Sequence, residues 1–455
     1  MKKKLTSTLI IYLISWLLGV SWILWQLMRR GEGFIESLSR YVENVLPNSS
    51  YLVAQHLLFI VIGGSILLFQ YFRRTFRKFG YKMLLKRFGL YLVLPTTFLI
   101  VGYKSLVYLN TAEDIDYSWD ESVMNDTGKV THYFEKDSLH RGMSVFGWPD
   151  SLDQSIDELL RANVEWVAVI PFIYQEDEHS LKVNLPNQNG TFSRRDSTFL
   201  HAIKELKRRG IKVHLKPHVW LGKGWRSNIS FEHKNDWDTW FSSYSERMLL
   251  YAQMAQLTKT ELLCVGTELR SSIKTQPEAW AKLIQNIREI YDGQLTYAAN
   301  WYNEYEHIPF WNDLDYIGIQ AYFPLTEKEN PDLNSIKKGW QPHLKTMAEF
   351  SKQHQKPILF TEVGYKSEAS ATIKPWEWDK TLGKLYMKKS DQTQQLAFEA
   401  MFQELWDKEW FAGVYIWEWD TRSQEVNAKT NLDFSPRFKP AENVIAKWFA
   451  TATIP

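Results

Sequence analysis

From residue 138 onward the chain repeats one unit: a short apolar run, a longer amphipathic stretch, then the next apolar run. Eight such runs are present, at 142–146, 165–171, 211–216, 261–267, 295–299, 315–321, 356–362 and 413–419. Amphipathic stretches lie between them, among them 151–162, 198–209, 236–257, 277–291 and 392–408, with Gly210 as a stop after the second. Short buried strands alternating with helices are the pattern of a parallel sheet covered by helices. That alternation can build an open doubly wound sheet or a closed barrel. No Gly-x-Gly-x-x-Gly and no phosphate-loop motif follows any run, and eight units is the number that closes. The expectation is a (β/α)8 TIM barrel over 138–455.

The residues before it need a different account. Apolar stretches at about 6–28, 51–72 and 88–108 are each near the roughly 20 residues that span a bilayer, with charges almost confined to their flanks. Lys104 falls inside the third, close enough to its end to snorkel. A cleaved signal peptide is the rival for the first stretch, since Lys2, Lys3 and Lys4 precede it, but the run is long and lacks a small-x-small site. Buried helices of a soluble domain would be apolar on one stripe only. Residues 1–108 are therefore expected to be a membrane anchor of three transmembrane helices, and the polar, acidic-leaning 109–137 a linker or a strap across the barrel. The 73–87 segment carries Arg73, Arg74, Arg77, Lys78, Lys82, Lys86 and Arg87 and no acid, whereas 29–50 is mixed. The positive-inside rule then puts the amino terminus and 73–87 in the cytoplasm. The result is a multi-pass protein of the cytoplasmic membrane with its barrel on the extracytoplasmic side. A net charge of +2 gives no argument for nucleic acid, and the single cysteine, Cys264, excludes an internal disulfide framework.

Two of the apolar runs end in a glutamate: Glu268 closes the fourth and Glu362 the seventh, each in a Thr-Glu pair. Barrel enzymes keep their chemistry at the C-terminal tips of the strands, and strands four and seven face each other across the mouth. By strand alternation Glu268 shares a face with Leu262, Cys264 and Gly266, and Glu362 shares one with Ile358 and Phe360. A carboxyl pair about 5–5.5 Å apart is the arrangement that cleaves glycosidic bonds with retention. Tyr322, just past the sixth strand, can donate to Glu362 and hold it ionised. Trp417 and Trp419 share one face of the eighth strand, so either can floor the sugar, while Glu418 points the other way and is structural. Asn300 and Trp301 end the fifth strand, as a hydroxyl contact and a stacking plane. Trp148, Trp220, Trp225, Trp376 and Trp378 fall in or near loops after strands, where their rings can meet the apolar faces of sugars. His214, Lys216 and His218 alternate along the third strand; too few ligands accompany them for a metal, so Lys216 and His218 are taken as polar cleft residues. The Glu176-Asp177-Glu178 run is a solvated loop. No cofactor is required.

Lys216-Pro217-His218-Val219-Trp220, Gly266-Thr267-Glu268-Leu269, Phe360-Thr361-Glu362-Val363-Gly364-Tyr365 and Trp417-Glu418-Trp419 together resemble glycoside hydrolase family 113, whose characterised members are β-mannanases, within the clan of retaining (β/α)8-barrel glycosidases. The resemblance covers about 138–450. It implies that Glu268 is the acid/base, Glu362 the nucleophile and Tyr322 the residue that orients it. Much of the clan has Asn before the acid/base; Thr267 stands there in this chain, which fits the narrower family. The implied activity is hydrolysis of a β-linked polysaccharide or oligosaccharide, with β-1,4-mannan-type chains first. A membrane-tethered carbohydrate-binding or cell-envelope scaffold protein, and a transglycosylase on envelope polysaccharide, are the alternatives.

Overall fold

The computed structural model describes residues 2–29, 33–46, 49–111, 117–148, 152–183, 194–377, 387–422 and 425–452. Residues 112–116 of the expected linker, and Trp378, lie outside these. The chain divides into two compact units, Met1–Ser105 and Leu106–Pro455.

In the first unit, two helical stretches are long and apolar enough to cross a membrane, Thr8–Met28 and Tyr51–Asn110. Their apolar side chains, including Leu13, Leu17, Val61, Leu67, Phe98 and Leu99, are exposed. The second stretch runs 60 residues and breaks at Gly80, so the segments expected at 51–72 and 88–108 fall in helices on either side of the break. The arginines and lysines of 73–87 are good helix formers, and helix covers them up to the break on both sides. The run is interrupted only at Gly80, whose φ of 76° and ψ of 179° suit a residue without a Cβ.

The second unit holds the barrel. Its strands are β1 (His140–Phe146), β2 (Trp166–Val169), β3 (Lys212–Leu215), β4 (Leu262–Thr267), β5 (Gln294–Asn300), β6 (Tyr316–Gln320), β7 (Ile358–Val363) and β8 (Phe411–Asp420). All pair in parallel and the sheet closes, β1 on β8 and on β2. Each strand falls on one of the apolar runs, which are buried on both faces as strands of a helix-covered parallel sheet must be. One core fills the barrel with Trp166, Ala168, Leu262, Tyr316, Leu359, Tyr415 and Trp417. A larger one, with Val167, Val213, Leu263, Ile317, Phe360 and Ile416, lies between the strands and the helices. Gly142 is required by this packing, since a Cβ there would stand 2.4 Å from the ring of Tyr415.

The longer helices are Asp153–Arg161, Arg194–Arg208, Lys234–Thr258, Pro277–Arg288, Leu333–His354, Asp391–Leu405 and Pro440–Phe449. Asp332 and Ser390 cap two of them, accepting from Ser335 N at 2.9 Å and Thr393 N at 3.2 Å. Residues 117–137 lie against the barrel as a strap. Tyr117 donates to Glu442 at 2.7 Å, Thr131 Oγ1 donates to the buried Glu165 at 2.7 Å, and Phe134 N donates to the same carboxylate at 2.8 Å. Phe134 then closes the N-terminal end of the barrel, edge-on to His140 and Trp166 at 5.2 and 5.0 Å. Beyond the ends of β2 and β3 the chain forms a second, two-stranded parallel ribbon, Phe172–Gln175 with His218–Leu221.

Candidate active site

Three of the strands that end at the barrel mouth break register at their last residues. On β4 the pairing steps from Cys264↔Thr296 to Thr267↔Ala298, on β7 from Ile319↔Phe360 to Gln320↔Glu362, and on β8 from Met143↔Ile416 to Val145↔Trp419. In each case the site strand carries one more residue than its partner, which is a bulge, and a bulge re-aims the side chains beyond it.

Glu362 shows the consequence. Phe360 faces outward and stacks on Trp340 at 6.0 Å, so it does not share a face with Glu362 as simple alternation would have it. The extra residue turns Glu362 into the mouth, where it is 3% exposed. One carboxyl oxygen pairs with Lys216 Nζ, and the other accepts from the Tyr322 hydroxyl at 3.0 Å. The same ammonium donates to Gln320 Oε1 at 2.8 Å and to Thr361 O at 3.2 Å, so its three protons are all used. Burial raises the Glu362 pKa, and Lys216 opposes that rise. Burial and the neighbouring carboxylate push the Tyr322 phenol well up, which keeps it a donor.

Glu268 lies just past the end of β4 with φ at +51°, a left-handed conformation that side chains other than glycine seldom adopt and that is found where surrounding structure holds it for function. Its backbone is pinned by Glu268 N to Ala298 O at 2.9 Å and by Ser227 Oγ to Glu268 O at 2.8 Å. Asn300 Nδ2 donates to one carboxyl oxygen at 2.9 Å, and Arg226 pairs with the other. Asn300 is itself set by Glu304, which accepts from Asn300 N at 2.8 Å and from the Tyr297 hydroxyl at 2.7 Å. Burial pushes the Glu304 carboxyl up to about 8.

Two carboxyl groups with different partners thus occupy one barrel mouth, an arrangement suited to dividing nucleophile from acid. Over residues 147–439 the sequence fits the profile of Glycoside Hydrolase Family 113. The chain belongs to this family. It is a glycoside hydrolase, and it is similar to solved family-113 enzymes. A β-1,4-mannanase complex superposes with a TM-score of 0.60 at 27% identity, over 68% of this chain and 98% of that one. The β-mannanase AaManA from Alicyclobacillus acidocaldarius, bound to ManMIm, gives 0.58 at 28% identity over 68% and 97%. No curated protein sequence matches the chain.

The other predicted residues of this family-113 site fall into three groups. Tyr322, Asn300 and Lys216 stand on the two glutamates; Lys216, expected as a sugar contact, is instead the ionic partner of Glu362. His218 is buried between Lys216 and Arg226, both ring nitrogens without a protein partner, and burial with those two cations holds its pKa well below the usual range. His214 beneath it is buried and neutral in the same way. Trp417 lines the barrel interior edge-on to Phe146 at 4.8 Å, while Trp220 is 48% exposed on the ribbon. Trp301 is half-buried and packs on the exposed Trp376 at 5.2 Å. Trp148 is half-buried against the outer core.

Trp419 is a correction. It is 1% exposed in the outer core, under Arg437, and does not share the mouth-facing side with Trp417. The register shift between Ile416 and Trp419 lies where the alternation fails, and burial, with Asp433 and Asp420 nearby, raises the Glu418 carboxyl to about 7. Glu178 stays in an exposed loop. It accepts from Trp225 N at 2.7 Å and from Asn228 Nδ2 at 3.0 Å, and so fixes the loop that carries Arg226 over Glu268. Arg226, Glu304 and Gln320 were missed by sequence reasoning. Only Arg226 had a signal, its place beside Trp225 at the end of a glycine-bearing loop after β3. Among the described residues no group of His, Cys, Asp and Glu is placed to hold a metal.

Proposed function

We propose that this chain is a retaining hydrolase of β-linked glycans, with β-1,4-mannan-type chains as substrate. The observation that carries the reading is that two acids stand at one barrel mouth, each between a cation and a neutral donor. Glu362 lies between a fully buried ammonium and a phenol, both of which favour its anion against the cost of burial. Glu268 is steered by Asn300 and Arg226. In this reading Glu362 attacks the anomeric carbon while Glu268 gives its proton to the departing glycosidic oxygen. Glu268 then takes a proton from water, which displaces Glu362 and releases a sugar of retained configuration. Trp417 floors the reacting sugar, and His218, with both ring nitrogens unspent, binds its hydroxyls. The mannan assignment is supported by the β-1,4-mannanase neighbours at 27–28% identity. The exposed apolar helices support a membrane anchor in which Thr8–Met28 crosses once and Tyr51–Asn110 crosses twice, turning near Gly80, with the barrel on the extracytoplasmic side.

The test uses the full-length chain in detergent micelles, offered mannan, glucan and xylan, with the anomer of the first product followed by NMR. Retention on mannan is expected; inversion, or cleavage of xylan or glucan alone, overturns the mechanism or the substrate respectively. Azide separates the roles. With an activated aryl glycoside, Glu268→Ala is rescued to the β-glycosyl azide and Glu362→Ala to the inverted azide. An exchange of the two products reverses the assignment.

A further inference from the structure

Glu304 follows β5 by a few residues and is buried. A carboxyl is costly to bury unless its oxygens are paired, and here both are. One accepts from Asn300 N at 2.8 Å, and the other accepts from the Tyr297 hydroxyl at 2.7 Å. Among the described residues the carboxyl has no other hydrogen-bond partner. Both partners lead to Glu268. Asn300 Oδ1 accepts from Tyr302 N at 2.9 Å, which leaves Nδ2 to donate to the Glu268 carboxyl at 2.9 Å. Tyr297 lies in the outer core, and its hydroxyl accepts from Leu269 N at 2.5 Å. That N–H belongs to the peptide leading out of Glu268, whose carbonyl accepts from Ser227 Oγ at 2.8 Å. The peptide after the left-handed Glu268 is therefore held at both its polar atoms. Gly266 leaves room for this reach, since a Cβ there would stand 2.9 Å from Cε2 of the Tyr297 ring.

We propose that Glu304 and Tyr297 are a positioning pair for the acid/base, in which one buried carboxyl fixes both the side-chain donor to Glu268 and the backbone that follows it. This rests on the reading of Glu268 as the acid/base. The pair touches no sugar and no reacting atom. It sets the aim of the Glu268 proton toward the departing oxygen, and later the aim of the same carboxylate toward water. Acid help matters in proportion to how poorly the leaving group departs alone. Loosening the pair therefore slows cleavage of poor leaving groups and spares good ones, whereas a loss of general packing would slow both alike.

The experiment sets Glu304→Leu, Tyr297→Phe and Glu304→Gln beside wild type and Glu268→Ala, all full-length in detergent micelles and checked for fold by circular dichroism. The substrates are aryl β-glycosides of mannobiose, cellobiose or xylobiose, whichever series wild type cleaves, so that failure of the mannan assignment does not touch the test. A dinitrophenolate departs without a proton, and a phenolate needs one. In Glu304→Leu and Tyr297→Phe, kcat/KM on the phenyl glycoside should fall about ten- to hundredfold and on the dinitrophenyl glycoside no more than about threefold, a milder form of the Glu268→Ala pattern. Their kcat on the dinitrophenyl glycoside should fall too, because water needs the same residue as base, and azide should restore it with the β-glycosyl azide as product. Glu304→Gln still offers Asn300 N an acceptor and should lie between wild type and Glu304→Leu. Tyr297→Phe keeps the ring and its packing, and decides the matter if Glu304→Leu does not fold. An equal fall on both substrates, or no fall on either, overturns the proposal. If Glu268→Ala itself shows no dependence on the leaving group, the acid/base reading has failed and the proposal falls with it.

Discussion

Lys216→Met gives the sharpest test of how Glu362 is kept reactive. Methionine keeps an apolar stem and removes the ammonium, leaving Tyr322, at 3.0 Å, as the one donor to the carboxylate among the described residues. Lys216 and Glu362 are 0% and 4% exposed, so solvent screens neither. An adjacent opposite charge in such a place lowers a carboxyl pKa by about 1–3 units, each unit being about 1.4 kcal/mol. Burial already raises Glu362 with the cation present, and its loss raises it further. The acidic limb of kcat/KM against pH should therefore move up by about 1–3 units, with activity below both limbs falling about tenfold per unit. Stability changes in a matching way. A folded-state pKa above the unfolded value means that the native state holds the proton longer, so the variant loses stability as pH rises from the unfolded value through the raised one. Where Glu362 is forced to ionise, an unpaired buried charge costs about 3–5 kcal/mol. Rate profiles on an aryl β-glycoside and melting temperatures from pH 5 to pH 8 measure both effects. A residue that only touched sugar would raise KM, leave the limb in place and leave the difference in unliganded melting temperature between variant and wild type independent of pH; that outcome refutes the ion-pair argument.

Tyr322→Phe deletes one hydrogen bond to a charged group, about 1.5–3 kcal/mol, and should lower kcat ten- to hundredfold while moving the acidic limb upward; an unmoved limb removes Tyr322 from the site. Glu304, raised to about 8 by burial, makes the wild-type fold lose stability as pH climbs from the ordinary carboxyl range toward 8, and Glu304→Gln should remove a slope of about 3–5 kcal/mol across that window, read as melting temperature at pH 5 and pH 8. An unaltered slope would mean that Glu304 does not hold its proton. For the anchor, a reporter fused after residue 110 should be active outside the membrane and one fused near residue 80 inside; the opposite pattern reverses the orientation.

The barrel was legible because its strands are buried on both faces. A run such as Trp166–Val169 declares itself by apolar content alone, whichever way each side chain points. Glu268, Glu362 and Tyr322 were legible as residues that follow such runs. The direction of a side chain was not, because alternation holds only while the ladder stays in register. Phe360 and Trp419 each lie beside an unforeseen register shift, and both departed from expectation. Arg226 and Glu178 come from loops whose approach to Glu268 depends on the closed barrel, at a separation of 42 residues for Arg226. The basic 73–87 segment is helical on both sides of Gly80, since charge reports which side of a membrane a segment prefers and says nothing against its being helical.

These departures are not scattered. The β5–β6 ladder runs unbroken from Thr296↔Tyr316 to Asn300↔Gln320, and its ends supply supporting groups, Asn300 to Glu268 and Gln320 to Lys216. The ladders of β4, β7 and β8 slip near their ends, where Glu268, Glu362 and the Trp417-Glu418 pair stand. A regular barrel would send the side chains at adjacent strand tips alternately toward the axis and toward the helices. The strands that bear the two carboxyl groups and the aromatic floor each gain a residue relative to a neighbour. Strict alternation is thus lost at the positions where the side chains must converge, and the unbroken strands beside them keep the geometry fixed.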